Sequence, residues 1–175
     1  LNINEIFDPV NFDNYKNNSL NIFNIENISR EKNKNLINQI NISNHIANLS
    51  KIDLVTLPIN KSILKKNLNF NGMTEYLGKI NKKKTKMLMY GEKFSIIPLT
   101  THINLKDVNN FIKKELIENS LKEILKQISK NMYEFDFKKI KFLCYNPHCS
   151  ENGTLGNEDK IITDAIFKFK KIIGP

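Results

Sequence analysis

The stretch IKFLCYNPHCSENGTLGNEDKIITDAI, residues 140–166, decides the fold class because it contains a strand pattern, a polar loop and a helix pattern in succession. β-favouring side chains over 140–145 predict a strand. The polar, glycine-bearing residues 146–157 are typical of a loop. Glu158 and Asp159 then open a helix with acidic side chains at its positive end. Strand, loop and helix in this order are the unit from which α/β sheets are built.

The rest of the chain shows the same alternation, which predicts an α/β fold. From residue 35 the apolar residues take the spacing of a helix face. The other predicted elements are a buried strand over 52–57, helices over 59–67 and after the Asn71-Gly72 turn, a hairpin of 85–90 and 94–99, a helix capped by Asn104, a helix through Leu121 and Ile128, and a helix stop at Gly174. Residues 35–175 form the α/β portion, whereas residues 1–34 are a poorly defined Asn-rich segment.

The composition narrows the classes of partner. The chain has 175 residues, enough for one domain with a core, and a formal net charge of +9. Its lysines are mostly scattered and Arg30 is its one arginine, the usual reader of bases and phosphates, so we expect no nucleic-acid groove.

No apolar run is long enough for a membrane span. Two cysteines without a C-x-x-C pair, and no secretory signal, predict a reduced, cytoplasmic protein. The chain begins with Leu1 rather than Met, and we expect both ends to be cut.

Two of the three histidines follow predicted strands. His102 comes after two threonines at the end of the hairpin, and His148 follows the strand over 140–145. Loops at the carboxyl ends of strands bind ligands in open α/β sheets, and imidazole is a common ligand of divalent metals. We therefore predict that His102 and His148 share a metal ion, for which zinc requires at least one further donor. A hydrogen-bonded loop histidine is the stronger interpretation for either residue taken alone, and His45 is interpreted as a surface or cap residue.

Other residue positions are weaker candidates. Lys61, at a strand-to-helix junction, either neutralises an anion or is simply solvated. Thr74 is predicted to cap the next helix, where free amides suit a phosphate, although an ordinary helix start is the alternative. Cys149 is a poor nucleophile candidate because its side chain and that of His148 point apart in an extended loop. Cys144 is assigned to the core.

Four ordered motifs resemble the family of 4-hydroxythreonine-4-phosphate dehydrogenases of pyridoxine biosynthesis. They are VTLPINK at 55–61, GMTEYL at 72–77, TTHINLKDV at 100–108 and NPHCSENGTLGNE at 146–158. The resemblance implies a three-layer α/β fold, a sheet with flanking helices, similar to that of isocitrate and isopropylmalate dehydrogenases. It also implies oxidation of 4-phosphooxy-L-threonine with NAD or NADP, followed by decarboxylation.

The same resemblance assigns roles to individual residues. In this family a divalent metal (zinc, magnesium or cobalt) held by three histidines polarises the alcohol oxygen, and His102 and His148 match two of them. Active sites of the family form at a homodimer interface, so the third ligand can come across it. Thr74 matches a threonine that binds the small phosphorylated amino-acid substrate, and we assign a catalytic role to Lys61. The residues that bind the nicotinamide cofactor are expected outside this chain.

Two departures from the family pattern leave alternatives open. Met73 stands where the family has a histidine that helps to hold the substrate, and methionine cannot donate a hydrogen bond to a phosphate. The chain is also shorter than the family, and we expect it to be a middle portion that cannot transfer hydride alone. The alternatives are a related dehydrogenase of phosphorylated four-carbon sugar acids and a non-catalytic basic binding fragment.

Overall fold

The structure, a computed structural model, describes residues 2–65, 72–129 and 139–175. The chain divides into two compact units, Leu1–Thr85 and Lys86–Pro175. The strands and helices, in chain order, are β1 (Asn2–Ile6), β2 (Ser19–Phe23), α1 (Lys32–Ser50), α2 (Lys61–Lys65), α3 (Met73–Ile80), α4 (Val108–Phe111), α5 (Lys114–Ser129), β3 (Ile140–Lys141), α6 (Glu158–Ile166) and β4 (Ile172–Ile173).

In its described residues the first unit has a parallel strand pair and the α-helices α1, α2 and α3. β1 pairs with β2 in parallel, with Asn2 opposite Ser19 and Ile6 opposite Phe23. The buried centre of its helical part is formed by Ile40 of α1 and Leu64 of α2. Apolar side chains of α1 and α3 pack around these two residues.

The second unit is built on the packing of α5 against α6. Among the described residues, its apolar core consists of Ile112, Ile117, Leu121, Ile162, Ala165 and Ile166. Ile117 and Ala165 are fully buried, and Leu121 and Ile162 are each 2% exposed. β3 and β4 pair in parallel beside this core. The core therefore fixes α6, whose first turn contacts the loop that follows β3.

The helices agree best with the sequence patterns. Helical structure from residue 35, through Leu121 and Ile128, and from Glu158 is confirmed by α1, α5 and α6. The helix predicted over 59–67 is α2 where it is described, while residues 66–67 and the predicted turn residue Asn71 lie outside the described residues. The predicted hairpin is present as one antiparallel bridge between Met89 and Ile96.

The strand predicted over 52–57 is wrong. These residues have no strand assignment, and the side chains of Val55 and Leu57 are 87% and 82% exposed. A strand requires a hydrogen-bonded neighbour, and none of the strand pairs in the described part of the chain includes this segment. The strand predicted over 140–145 is shorter for the same reason, since the strand assignment beside β4 covers Ile140–Lys141 and the pairing hydrogen bonds reach no further than Phe142.

The C-terminal prediction also needs correction. α6 ends at Ile166, and Ile172–Ile173 form β4 instead of the last turn of a helix. The N–H of Phe142 donates to the carbonyl of Ile173 over 2.7 Å, which continues the pairing. Gly174 is therefore not a helix-terminating residue. A Cβ at this position would overlap the Ile166 side chain, so close approach to the core explains the glycine.

Among the helices of residues 2–65, 72–129 and 139–175, none is long and apolar enough to cross a membrane.

Candidate functional site

His148 lies in a tight turn between β3 and α6, which we call the His148 turn (Pro147–Gly153). Its residues His148, Cys149, Ser150, Glu151 and Asn152 all have positive φ, from 42° to 63°. Left-handed backbone costs about 1–2 kcal/mol for each residue with a Cβ. Several such residues in succession persist only where surrounding groups hold them.

Asp159, the second residue of α6, supplies much of that support. Its side chain is 3% exposed. One carboxylate oxygen accepts the N–H of Tyr145 at 2.6 Å, and the other accepts the N–H of Asn146 at 3.0 Å and the hydroxyl of Ser150. The three donors lie on both sides of His148 in the chain, so one carboxylate joins the two ends of the segment that carries the imidazole.

The side chain of Asn146 forms a second link across the same segment. Its Nδ2 donates to Ser150 Oγ at 3.0 Å and to Glu158 Oε2 at 2.9 Å. The carbonyl of Ser150 in turn accepts the N–H of Leu155 at 3.1 Å. The polar groups of the turn are therefore bonded to one another and to the first turn of α6.

These contacts determine the charge state of the two acids. Burial raises the pKa of the Asp159 carboxyl, but hydrogen bonds from Ser150, Tyr145 and Asn146 outweigh it, and the pKa lies below its ordinary value. The hydrogen bond from the Asn146 side chain lowers the pKa of Glu158. Both groups are therefore anionic acceptors at neutral pH.

His102 lies in the same unit as His148 and has the same unusual backbone. Its φ is 53°, and that of His148 is 51°. Both side chains are exposed. Before His102 in the chain, Leu99 packs against the core. After His102, the side chain of Asn104 accepts the N–H of Lys106 at 3.2 Å, which confirms the predicted cap. Two exposed histidines on left-handed backbone make this unit the candidate metal site, because such conformations concentrate at functional sites.

The donors in the described residues do not complete a metal site. Two neutral imidazoles suit a divalent ion, but no group of three His, Cys, Asp or Glu that could hold a metal occurs in the described ranges 2–65, 72–129 and 139–175. His45 is exposed on α1, as predicted for a surface residue. A metal ion bound by these two histidines would need a further donor from outside the described residues.

The predicted substrate residues lie in the first unit. Lys61 begins α2, where the side chain of Asn60 accepts the N–H of Ser62 at 3.0 Å. Gly72 occupies the N-cap position of α3, so the prediction that Thr74 caps this helix is wrong. Thr74 is instead the second residue of the helix, and Met73 packs against the cluster of Ile40 and Leu64.

The structure corrects the expectations for the two cysteines. Cys144 and Cys149 form a disulfide with a Cα–Cα distance of 5.1 Å, within the range that a disulfide spans. Cys144 is exposed rather than in the core, because β3 ends at Lys141. The expectation of reduced thiols is thus wrong for this pair, and Cys149 is neither a free nucleophile nor a thiolate ligand. Its loop is a left-handed turn and not an extended segment.

Sequence reasoning missed Asp159 as a site residue. An acid in the first turn of a helix is well explained by the helix dipole, and nothing local shows that the carboxylate is buried against the preceding loop. The only available signal is the concentration of hydrogen-bonding residue types over 146–159, which predicts a loop but not its bonding pattern.

Comparisons with known proteins identify relatives of this chain. A model of the family described as "Pyridoxal phosphate biosynthetic protein PdxA" matches residues 1–175. The 4-hydroxythreonine-4-phosphate dehydrogenase of Aquifex aeolicus is 41% identical over 130 residues, 70% of this chain and 40% of that protein. The same enzyme of a Hydrogenobaculum species is 42% identical over 125 residues, 70% of this chain and 39% of that protein. The chain thus spans about 40% of the length of these curated relatives.

The fold comparison supports the predicted α/β class. The crystal structure of 4-hydroxythreonine-4-phosphate dehydrogenase from Klebsiella pneumoniae is similar with a TM-score of 0.74 at 22% identity, covering 90% of this chain and 52% of that chain. A structure from Salmonella typhimurium gives a TM-score of 0.71 at 20% identity, covering 90% and 53%.

Proposed function

Because the chain belongs to the pyridoxal phosphate biosynthetic protein PdxA family, we propose that it is part of a 4-hydroxythreonine-4-phosphate dehydrogenase. The full protein would oxidise 4-phosphooxy-L-threonine with NAD or NADP and release carbon dioxide, which gives 3-amino-2-oxopropyl phosphate for pyridoxal phosphate biosynthesis. The observation that carries the proposal is the family match over residues 1–175, a range that includes His102 and His148.

In this proposal His102 and His148 hold a divalent metal together with a donor from outside the described residues. When bound, a metal of this kind makes an alcohol more acidic and stabilises the enolate left by decarboxylation. The role of the two imidazoles is to bind it in their neutral form, and both are exposed. A nicotinamide cofactor, held by residues outside this chain, would supply the hydride acceptor for the oxidation, and the part taken by His102 and His148 would be to hold the metal.

Thr74 and Lys61 are proposed to act on the substrate. Thr74 is the second residue of α3, where backbone N–H groups without helical partners favour an anion such as phosphate. Lys61, at the start of α2, is proposed as the catalytic lysine. We further propose that the complete protein has the three-layer arrangement of isocitrate and isopropylmalate dehydrogenases and that it acts as a homodimer.

Met73 favours a second candidate substrate class. A thioether at this position cannot donate to a phosphate oxygen, and in this chain it packs against Ile40 and Leu64. A related dehydrogenase that oxidises phosphorylated four-carbon sugar acids would tolerate a different set of contacts here. Comparing kcat/KM for the two substrate classes in the full-length protein distinguishes them.

The main test measures NADH or NADPH formation by the full-length protein with 4-phosphooxy-L-threonine. We expect turnover in the wild type and in His45→Ala, and a turnover more than about 100-fold lower in His102→Ala and His148→Ala. Loss of a residue that only hydrogen-bonds a metal ligand already lowers metal affinity or activity about 10- to 100-fold, and loss of the ligand itself should cost more. Undiminished turnover in both variants would contradict the assignment of the two histidines.

A further inference from the structure

We propose that Asp159 is the positioning residue of the candidate metal site, and that it orients His148 by joining the two sides of the His148 turn; this inference rests on the proposed function. The residue is not a ligand in this proposal. It acts through the backbone and through Ser150, and it is distinct from the residues assigned to metal, substrate or cofactor.

The three groups that donate to Asp159 lie on both sides of His148 in the chain. Tyr145 and Asn146 precede His148 by three and two residues, and Ser150 follows it by two. Their bonds to one carboxylate close this segment around the histidine. A change in the carboxylate therefore alters both ends of the segment at once, whereas loss of one donor alters only one end.

The helix that carries Asp159 is anchored in the core of the second unit. Ile162, Ala165 and Ile166 on the same helix are between 0% and 6% exposed and lie in the main core cluster. The carboxylate is therefore held by a packed element, while the turn it contacts has no buried apolar residue of its own. Ser150 is the buried residue of the turn, and its hydroxyl is bonded to Asp159.

The backbone of the His148 turn has an unfavourable conformation. Residues 148–152 are all left-handed, although none is a glycine. Such a conformation does not persist through local preference, so bonds from outside the turn have to hold it. Histidine ligands generally depend on neighbouring groups that fix the direction of the ring. Here that function falls on the backbone of the turn, which Asp159 holds together with the Cys144–Cys149 disulfide.

The test compares Asp159→Asn with Asp164→Asn in the full-length protein. Both residues lie on α6 and both changes remove one negative charge, but Asp164 is exposed. An amide keeps the shape of the carboxylate but replaces one acceptor oxygen by a donor. We expect the dissociation constant for Co²⁺ to rise about 10- to 100-fold in Asp159→Asn and to stay at the wild-type value in Asp164→Asn. The kcat of Asp159→Asn should fall as metal binding weakens, while the KM for the phosphorylated substrate should change little.

Hydrogen exchange separates positioning from a general loss of stability. Exchange in Asp159→Asn should become faster over residues 145–152 and remain unchanged in α5, whereas general destabilisation would affect both. Ser150→Ala keeps both backbone bonds to Asp159 and should give a smaller effect of the same kind. This variant also preserves the test if Asp159→Asn fails to fold.

Two results would overturn the proposal. One is wild-type Co²⁺ affinity in both Asp159→Asn and Ser150→Ala. The other is unchanged exchange over 145–152 in Asp159→Asn. Failure of the wild-type protein itself to bind Co²⁺ would instead contradict the proposed function, and the exchange experiment would still decide whether Asp159 orders the turn.

Discussion

At Asp159 a carboxylate that is 3% exposed accepts two backbone N–H groups and one hydroxyl. A buried charge is expensive unless hydrogen bonds replace its water, and here the replacement is provided by the segment that carries His148. The same hydrogen bonds therefore stabilise both the His148 turn and the first turn of α6. Removing the carboxylate leaves the N–H groups of Tyr145 and Asn146 without their acceptor, which costs about 1–3 kcal/mol.

The pH dependence of stability should reveal this residue. The pKa of Asp159 lies below its ordinary value in the folded protein, so its contribution is complete above about pH 3.9, the pKa of an unfolded aspartate. The contribution is lost as the pH falls through the lower, folded pKa. The difference in the free energy of unfolding between wild type and Asp159→Asn should therefore be constant near neutral pH and shrink in acid, as measured by urea unfolding at several pH values. A difference that grows in acid would have the wrong sign.

The residue scale is also where the sequence was least informative. His102 and His148 are predicted to be metal ligands from their residue type and their position after predicted strands, and this remains a prediction. Their left-handed backbone was not foreseen, since it depends on contacts with segments distant in the chain. The role of Asp159 was missed for the same reason.

At the scale of elements, α5 and α6 form the support of the site. Ile117 and Leu121 of α5 are 0% and 2% exposed, and they pack in one cluster with Ile162 and Ala165 of α6. Their apolar spacing of three and four residues is a local signal, which explains why both helices could be predicted. The strand over 52–57 could not be assessed locally, because a strand depends on a partner elsewhere in the chain.

Shortening a buried side chain at this helix contact should lower the stability of the protein. We expect Leu121→Ala to lower the free energy of unfolding by about 2–5 kcal/mol, because it creates a cavity in the core. Leu105→Ala removes the same atoms from a side chain that is 85% exposed, and should change stability by less than about 0.5 kcal/mol. Equal effects of the two changes in chemical unfolding would show that the core has been placed incorrectly.

The disulfide between Cys144 and Cys149 makes a separate prediction for the segment before α6. Closing so short a loop contributes about 2 kcal/mol in the chain-entropy description. Urea unfolding should therefore detect a loss of about this size when a reductant is added to the wild type, and no effect of the reductant on a Cys144→Ser, Cys149→Ser double variant. Two thiols that react freely in the native, unreduced protein would show that the bond is absent.

At the scale of the whole molecule, the described residues form two buried apolar clusters, one in each of two compact units. The boundary after Thr85 has no glycine- or proline-rich linker to mark it in the sequence, and it follows only from which segments pack together. The predicted division between residues 1–34 and 35–175 remains a prediction. The α/β class, by contrast, was predictable from alternating patterns, and the similarity to solved dehydrogenase structures supports it.

The two units should respond separately to a core change. Leu64 is fully buried in the cluster of the first unit. Leu64→Ala should accelerate hydrogen exchange in α1 and α3 while leaving α5 and α6 at wild-type rates, because local unfolding follows cooperative units. Uniform acceleration along the chain would mean that the units unfold together.

The most direct measurement is a Co²⁺ titration of the full-length protein followed by visible absorption, with His102→Ala, His148→Ala and His45→Ala in parallel. We expect wild type and His45→Ala to bind one ion per site with the same affinity, and each of the other two variants to bind more than about 100-fold more weakly. Unchanged Co²⁺ affinity in both His102→Ala and His148→Ala would contradict the claim that these two imidazoles share a metal.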